Sequence, residues 1–150
     1  MRYNFIQPFP RHLDNLSPKE VYSIGELGCV KTLVSISQGG KNVDSLAMGI
    51  GPDDEPWGIV GCHKQWDGFG QVWGILDRRL DQHPIALLKS CIILLNYAVQ
   101  KQKLRRVSVT VRSGYTKGNR FAHALGFDFE GKMAGYLPDG GDANLYARLF

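Results

Sequence analysis

A chain of 150 residues, 43% of them apolar and 21% charged, matches one ordinary domain over residues 1–150, with enough hydrophobic material for a single core and enough charge to stay in solution. The longest nearly uncharged run, Ser90 to Gln100, is too short to cross a bilayer. The opening MRYNFIQPFPRH has neither the apolar region nor the cleavage site of a signal peptide, so the reading is a cytoplasmic protein without a membrane partner.

The net charge of +4 admits an anionic small ligand or a weak nucleic-acid contact and requires neither. The cysteines Cys29, Cys62 and Cys91 are scattered, without CxxC or CxxH spacing. They read as reduced, buried thiols and not as a metal site.

In chain order, the first ten residues alternate loosely through Tyr3, Phe5 and Phe9 and predict a strand ending at Pro8 and Pro10. Ser17, Pro18 and Glu20 have the spacing of a capping box and open a helix, which Gly25 and Gly28 weaken. Lys31 to Ser37 fits a strand or a second helical piece, and QGGKN is a loop.

From Ser45 the strands SLAMGIG, WGIVGCHK and QVWGIL, separated by PDDEP and the glycine-rich WDGFG, predict a three-stranded antiparallel meander with a bulge at Gly74. A helix over Pro84 to Lys103 is apolar nearly all round and is expected to be buried on most of its surface. RRVSVTVR, Arg105 to Arg112, alternates as a strand, so strand, long helix and strand predict a parallel crossover. A short helix around Lys117 to Leu125 ends at Gly126, and the strands FDFEGKMAGYL and ANLYARLF close the chain around PDGGD.

That order, and above all the tail ALGFDFEGKMAGYLPDGGDANLYARLF, resembles the GNAT acetyltransferase superfamily: a Leu-Gly-Phe after the last helix, an acidic-Gly pair, an aromatic and a final Tyr-x-Arg strand. The likeness covers roughly Ser45 to Phe150. It implies an α/β (α+β) fold: a mixed, mostly antiparallel twisted sheet with a central parallel strand pair and helices on both faces. It also implies that the parallel strands splay to admit the pantetheine arm of acetyl-CoA, while the long helix takes the pyrophosphate on its N-terminus.

The family loop there resembles Arg/Gln-x-x-Gly-x-Gly/Ala. In LDRRLDQHPIALL its arginine falls on Arg79, but its two glycines fall on Gln82 and Pro84. Pro84 has no N–H for a phosphate, and Gln82 crowds the approach a glycine leaves open. The resemblance therefore assigns the cosubstrate to Leu76, Arg78, Arg79, Gln82, His83 and Asn119, with arginine charge replacing glycine geometry. Asp77 and Asp81 oppose it. In the alternative reading Asp81 caps the helix, Pro84 starts it and the arginines are solvated.

The family's usual acid, a tyrosine four residues before the glycine of Leu-Gly-Phe, is replaced here by Ala122. Tyr115, His123 or Tyr136 would substitute as acid, and Glu130 could act as base. Three functions are open: transfer of an acetyl group from acetyl-CoA to an unknown amine acceptor; a GNAT-fold protein without catalysis that serves in an assembly with protein partners, as the loose likeness to tailed-bacteriophage GNAT-like virion proteins implies; and a nucleic-acid-binding module. The last rests on the basic charge and KQKLRR alone, and the helix dipole already accounts for cations at that end.

Overall fold

The computed structural model describes residues 3–16 and 44–150. The helix expected from Ser17, the undecided segment Lys31 to Ser37, the QGGKN loop and Cys29 lie outside the described residues. The described strands are β1 (Asn4–Ile6), β2 (Ser45–Gly51), β3 (Gly58–Trp66), β4 (Phe69–Leu76), β5 (Arg106–Arg112), β6 (Asp128–Met133) and β7 (Ala143–Leu149). The helices are α1 (Pro84–Gln102) and α2 (Thr116–Ala124), and two 3-10 turns cover Pro10–Asn15 and Arg78–Gln82.

The strands form one sheet in the order β1-β2-β3-β4-β5-β7-β6. Every pairing is antiparallel except β4 with β5. This is the mixed sheet with a central parallel pair that the sequence predicts.

The meander runs further than its apolar runs indicate. β3 and β4 meet in a hairpin whose tip is Asp67-Gly68, with Gly68 at φ +85, the conformation such a tight turn needs. The expected bulge is not at Gly74, which stays in register opposite Val60; the register shifts between Lys64 and Trp66. Gly74 instead leaves room for its neighbour, since a Cβ there would stand 3.2 Å from Val60 Cγ1. β6 ends at Met133, short of the expected YL, because Gly135 at φ +62 turns the chain.

Both described helices lie on one face of the sheet. Leu95 and Ala98 of α1, Val107 and Val111 of β5, Ala122 of α2, Phe127 and Tyr146 of β7 form its largest buried cluster. Burial of each of the larger side chains, Leu95, Val107, Val111 and Phe127, contributes about 1.5–3 kcal/mol. The opposite face carries Leu16, Ile59, Trp73 and Ile75. The Leu-Gly-Phe motif has a plain physical content: Gly126 at φ +87 ends α2, and Phe127, 1% exposed, enters the core.

α1 is not buried on most of its surface, contrary to the reading of its composition. Leu87, Ser90, Cys91, Leu95, Ala98 and Gln102 face inward, whereas Ile85, Ile93 and Tyr97 are more than half exposed. The sheet and α2 cover only one side of the helix, so its outer apolar residues meet no described element.

The arginines of KQKLRR serve more than the helix dipole. Arg105 donates to the Asp67 carbonyl at 3.1 Å in the β3–β4 turn. Arg106 forks onto both Glu130 carboxylate oxygens and lies over the Phe69 ring at 5.7 Å.

Candidate functional site

β4 and β5 pair through Phe69 with Arg106, Gly70 with Val107 and Gln71 with Ser108, and then part. Beyond Gln71 and Ser108 the ladder joins no further pair of residues of the two strands. Between the parted strands lies a cleft of about 620 Å³, walled by both strands, by α1 and by α2. Its lining is largely apolar (Val72, Leu76, Leu87, Leu94, Val109, Val111, Phe121), and charged side chains gather at its rim: Asp77, Arg78, Asp81, Lys117 and Arg120. Such a slot suits a long, flexible ligand arm with amide groups to satisfy and an anionic end.

In the rim segment Asp77 to Pro84, Pro84 opens the helix and Arg78 is exposed, as the alternative reading has it, but the two acids are used differently. Asp77 is 5% exposed and caps the 3-10 turn, its Oδ1 accepting from the Arg79 backbone N–H and from Arg79 Nε, each at 2.9 Å. Arg79 also lies over the Trp57 ring at 4.8 Å, so, although its side chain is 48% exposed, it is held by two contacts and not aimed freely at a ligand. His83 packs against Tyr3 and Trp57 with centroid separations of 6.2 Å.

Asp81 does not cap α1. The cap residue is His83, without a side-chain hydrogen bond, and Pro84 opens the helix as expected. Asp81 reaches instead across the cleft to Lys117, Oδ2 to Nζ 3.3 Å.

Of the remaining residues assigned to a cosubstrate, Leu76 and Arg78 line the cleft. Gln82 is exposed on the 3-10 turn. Asn119 is a structural hub: its Nδ2 donates to the carbonyls of Arg112, Ser113 and Tyr115, and its Oδ1 accepts from Asn144 Nδ2 and Tyr146 Oη. It ties α2 to β5 and β7 and so sets the position of one cleft wall.

Among the catalytic candidates, Tyr115 lines the cleft. Ala122, seven residues on and therefore on the same helix face, lines it as well. The family's tyrosine address thus opens into the cleft without a hydroxyl, and Tyr115 offers one two turns earlier. Gly118 makes room for that ring, because a Cβ there would stand 2.5 Å from Tyr115 Cδ1.

His123 is exposed and packs edge-on against Tyr146 at 5.1 Å. Glu130, on the edge strand β6, is held below the usual carboxylate range by its hydrogen bond from Arg106. Tyr136 is 48% exposed beyond β6. Cys62 and Cys91 also line the cleft, and burial pushes both thiols up to about 12.

Lys117, Arg120 and Gly118 carry no weight in a reading of the sequence. The one available signal was the Tyr115-x-x-Gly118 spacing at the start of a helix. Among the described residues no cluster of His, Cys, Asp and Glu could hold a metal ion, and no helix is long and apolar enough to cross a membrane.

No family model matches the sequence, and none of the curated proteins does. Solved structures are similar to it in fold. Ard1 from Thermoplasma volcanium superposes with a TM-score of 0.77 at 14% identity, covering 99% of this chain and 98% of its own. A GNAT-family acetyltransferase from Streptococcus pneumoniae gives 0.73 at 15%, with 99% of both chains covered. A microcin self-immunity acetyltransferase, MccE, in complex with acetyl-CoA and AMP gives 0.67 at 16%, over 85% of this chain and 73% of that one. The fold is that of the GNAT acetyltransferases.

Proposed function

We propose that the protein is an acyl-CoA-dependent N-acetyltransferase, with the pantetheine arm lying between β4 and β5 and the phosphates at the rim beside the start of α1. The observation that carries this reading is the parting of the two parallel strands after three residue pairs over an apolar cleft. The acetyl-CoA complex of the similarly folded MccE supports it. The parted strand edges face the amides of the arm with backbone donors and acceptors, and the apolar walls exclude water from the thioester.

In the transfer, the neutral amine nitrogen bonds the acetyl carbon and the carbon–sulfur bond breaks. The Tyr115 hydroxyl gives its proton to the departing thiolate and is reprotonated from solvent, while the proton lost by the amine passes to water. Among the described residues that line the cleft the carboxylates are Asp77 and Asp81, both at the rim and ion-paired.

Calorimetry and a thiol-release assay test the reading. Wild type is expected to bind acetyl-CoA, and Tyr115→Phe to bind it equally while losing about 100-fold or more in turnover. Unchanged turnover in that variant would remove Tyr115 from the mechanism.

A second reading has its own observation. The exposed apolar strip of α1, Ile85, Ile93 and Tyr97, suits a GNAT-fold protein whose role is contact with other proteins, a virion assembly among them. Absence of any acetyl-CoA binding would favour it. The nucleic-acid reading loses support from Arg105 and Arg106, both bonded within the fold.

A further inference from the structure

We infer that Lys117 is the phosphate-binding residue of the cleft and that Asp81 holds it across the mouth until the phosphates displace it. The inference rests on the acyl-CoA reading and says how this chain meets a polyanion without the glycines. Arg79, the residue at the family's arginine position, is committed to Asp77 and Trp57. Pro84 removes one backbone donor at the start of α1. The charge must come from elsewhere on the rim.

Lys117 stands in the first turn of α2, on the β5 side, and Asp81 in the 3-10 turn that follows β4. Their ion pair therefore runs from one side of the cleft to the other. Both residues line it. The pair is a single contact at 3.3 Å between a 63% exposed lysine and a 35% exposed aspartate, a geometry that binds weakly and in which neither partner has left water.

A flexible ammonium of this kind changes partners at small cost, and a pyrophosphate offers it more charge than one carboxylate does. Arg120, three residues further along the same helix face, and Arg78 opposite also line the mouth, and among the described residues neither forms an ion pair. Among the described residues of the rim, with Asp77 answered by Arg79, the cations Lys117, Arg120 and Arg78 outnumber the carboxylate of Asp81. The rim attracts a nucleotide-bearing arm and is indifferent to a bare pantetheine. Asp81 then acts as a competitor that positions Lys117 and weakens the ligand at once.

Calorimetric titrations of wild type, Lys117→Gln, Lys117→Arg and Asp81→Asn with coenzyme A and with pantetheine, at low and moderate salt, test this. Lys117→Gln is expected to weaken coenzyme A about tenfold, to leave pantetheine unchanged and to flatten the salt dependence. Lys117→Arg is expected to restore binding, and Asp81→Asn to tighten coenzyme A several-fold. Wild-type affinity for coenzyme A in Lys117→Gln, or an equal loss for both ligands, overturns the inference and leaves the acyl-CoA reading intact. Binding of neither ligand by wild type or by Asp81→Asn overturns both.

Discussion

Asn119 makes five hydrogen bonds with one amide, three donated to carbonyls around the β5–α2 turn and two accepted from Asn144 and Tyr146 of β7. Its Nδ2 hydrogens are shared among several carbonyls, so no single bond is strong, but removal of the amide leaves every partner short together. Asn119→Ala is expected to cost about 1–3 kcal/mol in urea unfolding. It should also weaken cosubstrate binding, because the α2 wall carrying Tyr115 and Lys117 is set by this residue; full retention of both properties would show that the hub is redundant. The sequence marks Asn119 as a residue of interest for a different reason, a resemblance to cosubstrate-binding positions. A single side chain in a helix does not reveal whether its amide turns toward a ligand or toward the backbone beneath it.

At the scale of elements, α1 shows what a sequence pattern carries and what it omits. Its span is legible to within a residue, since Pro84 suits the first helical position and the chain beyond Gln102 leaves the helix through Lys103 at φ 55. Its exposure is not legible, because an apolar residue reads the same whether or not something packs on it. Leu95, 7% exposed, and Ile92, 36% exposed, therefore separate in consequence. Leu95→Ala is expected to cost about 2–5 kcal/mol, and Ile92→Ala less than about 1 kcal/mol. Equal, large losses would mean that a further element covers the outer face.

The closing hairpin depends on charge in a way α1 does not. Glu130, Asp139 and Asp142 are all held below the ordinary carboxylate range, Glu130 first by its hydrogen bond from Arg106, Asp139 by that from Arg112, Asp142 by the Gly135 N–H. A carboxylate with a lowered native pKa stabilises the fold fully above its unfolded value, and loses that contribution as pH falls through the native one. Stability is expected to hold from neutral pH to about pH 5 and to decline below it. Glu130→Gln should shallow that decline. An unchanged acid limb would assign it to other carboxylates.

Over the whole molecule, the order of elements was legible because each has a local cause: turn residues, strand alternation, a proline and a glycine at helix ends. The cleft was legible only as an implication of that order. Its rim was not, since the pairing of Asp81 with Lys117 joins residues 36 apart on elements that meet only in the folded chain. The two described cysteines share that character. Cys62 lies on β3 and Cys91 on α1, yet both are buried and both line the same cleft.

Their thiols, pushed up to about 12 by burial, are almost wholly protonated at neutral pH and react as thiolates only rarely. Both face the cleft that acetyl-CoA is proposed to fill. Iodoacetamide labelling, followed peptide by peptide by mass spectrometry, should be slow at both residues near pH 7 and rise about tenfold per pH unit. Acetyl-CoA should suppress it at both together, since one arm along β4 covers the approach to each. Labelling that acetyl-CoA leaves unchanged at either residue would place the ligand outside the space between the parted strands.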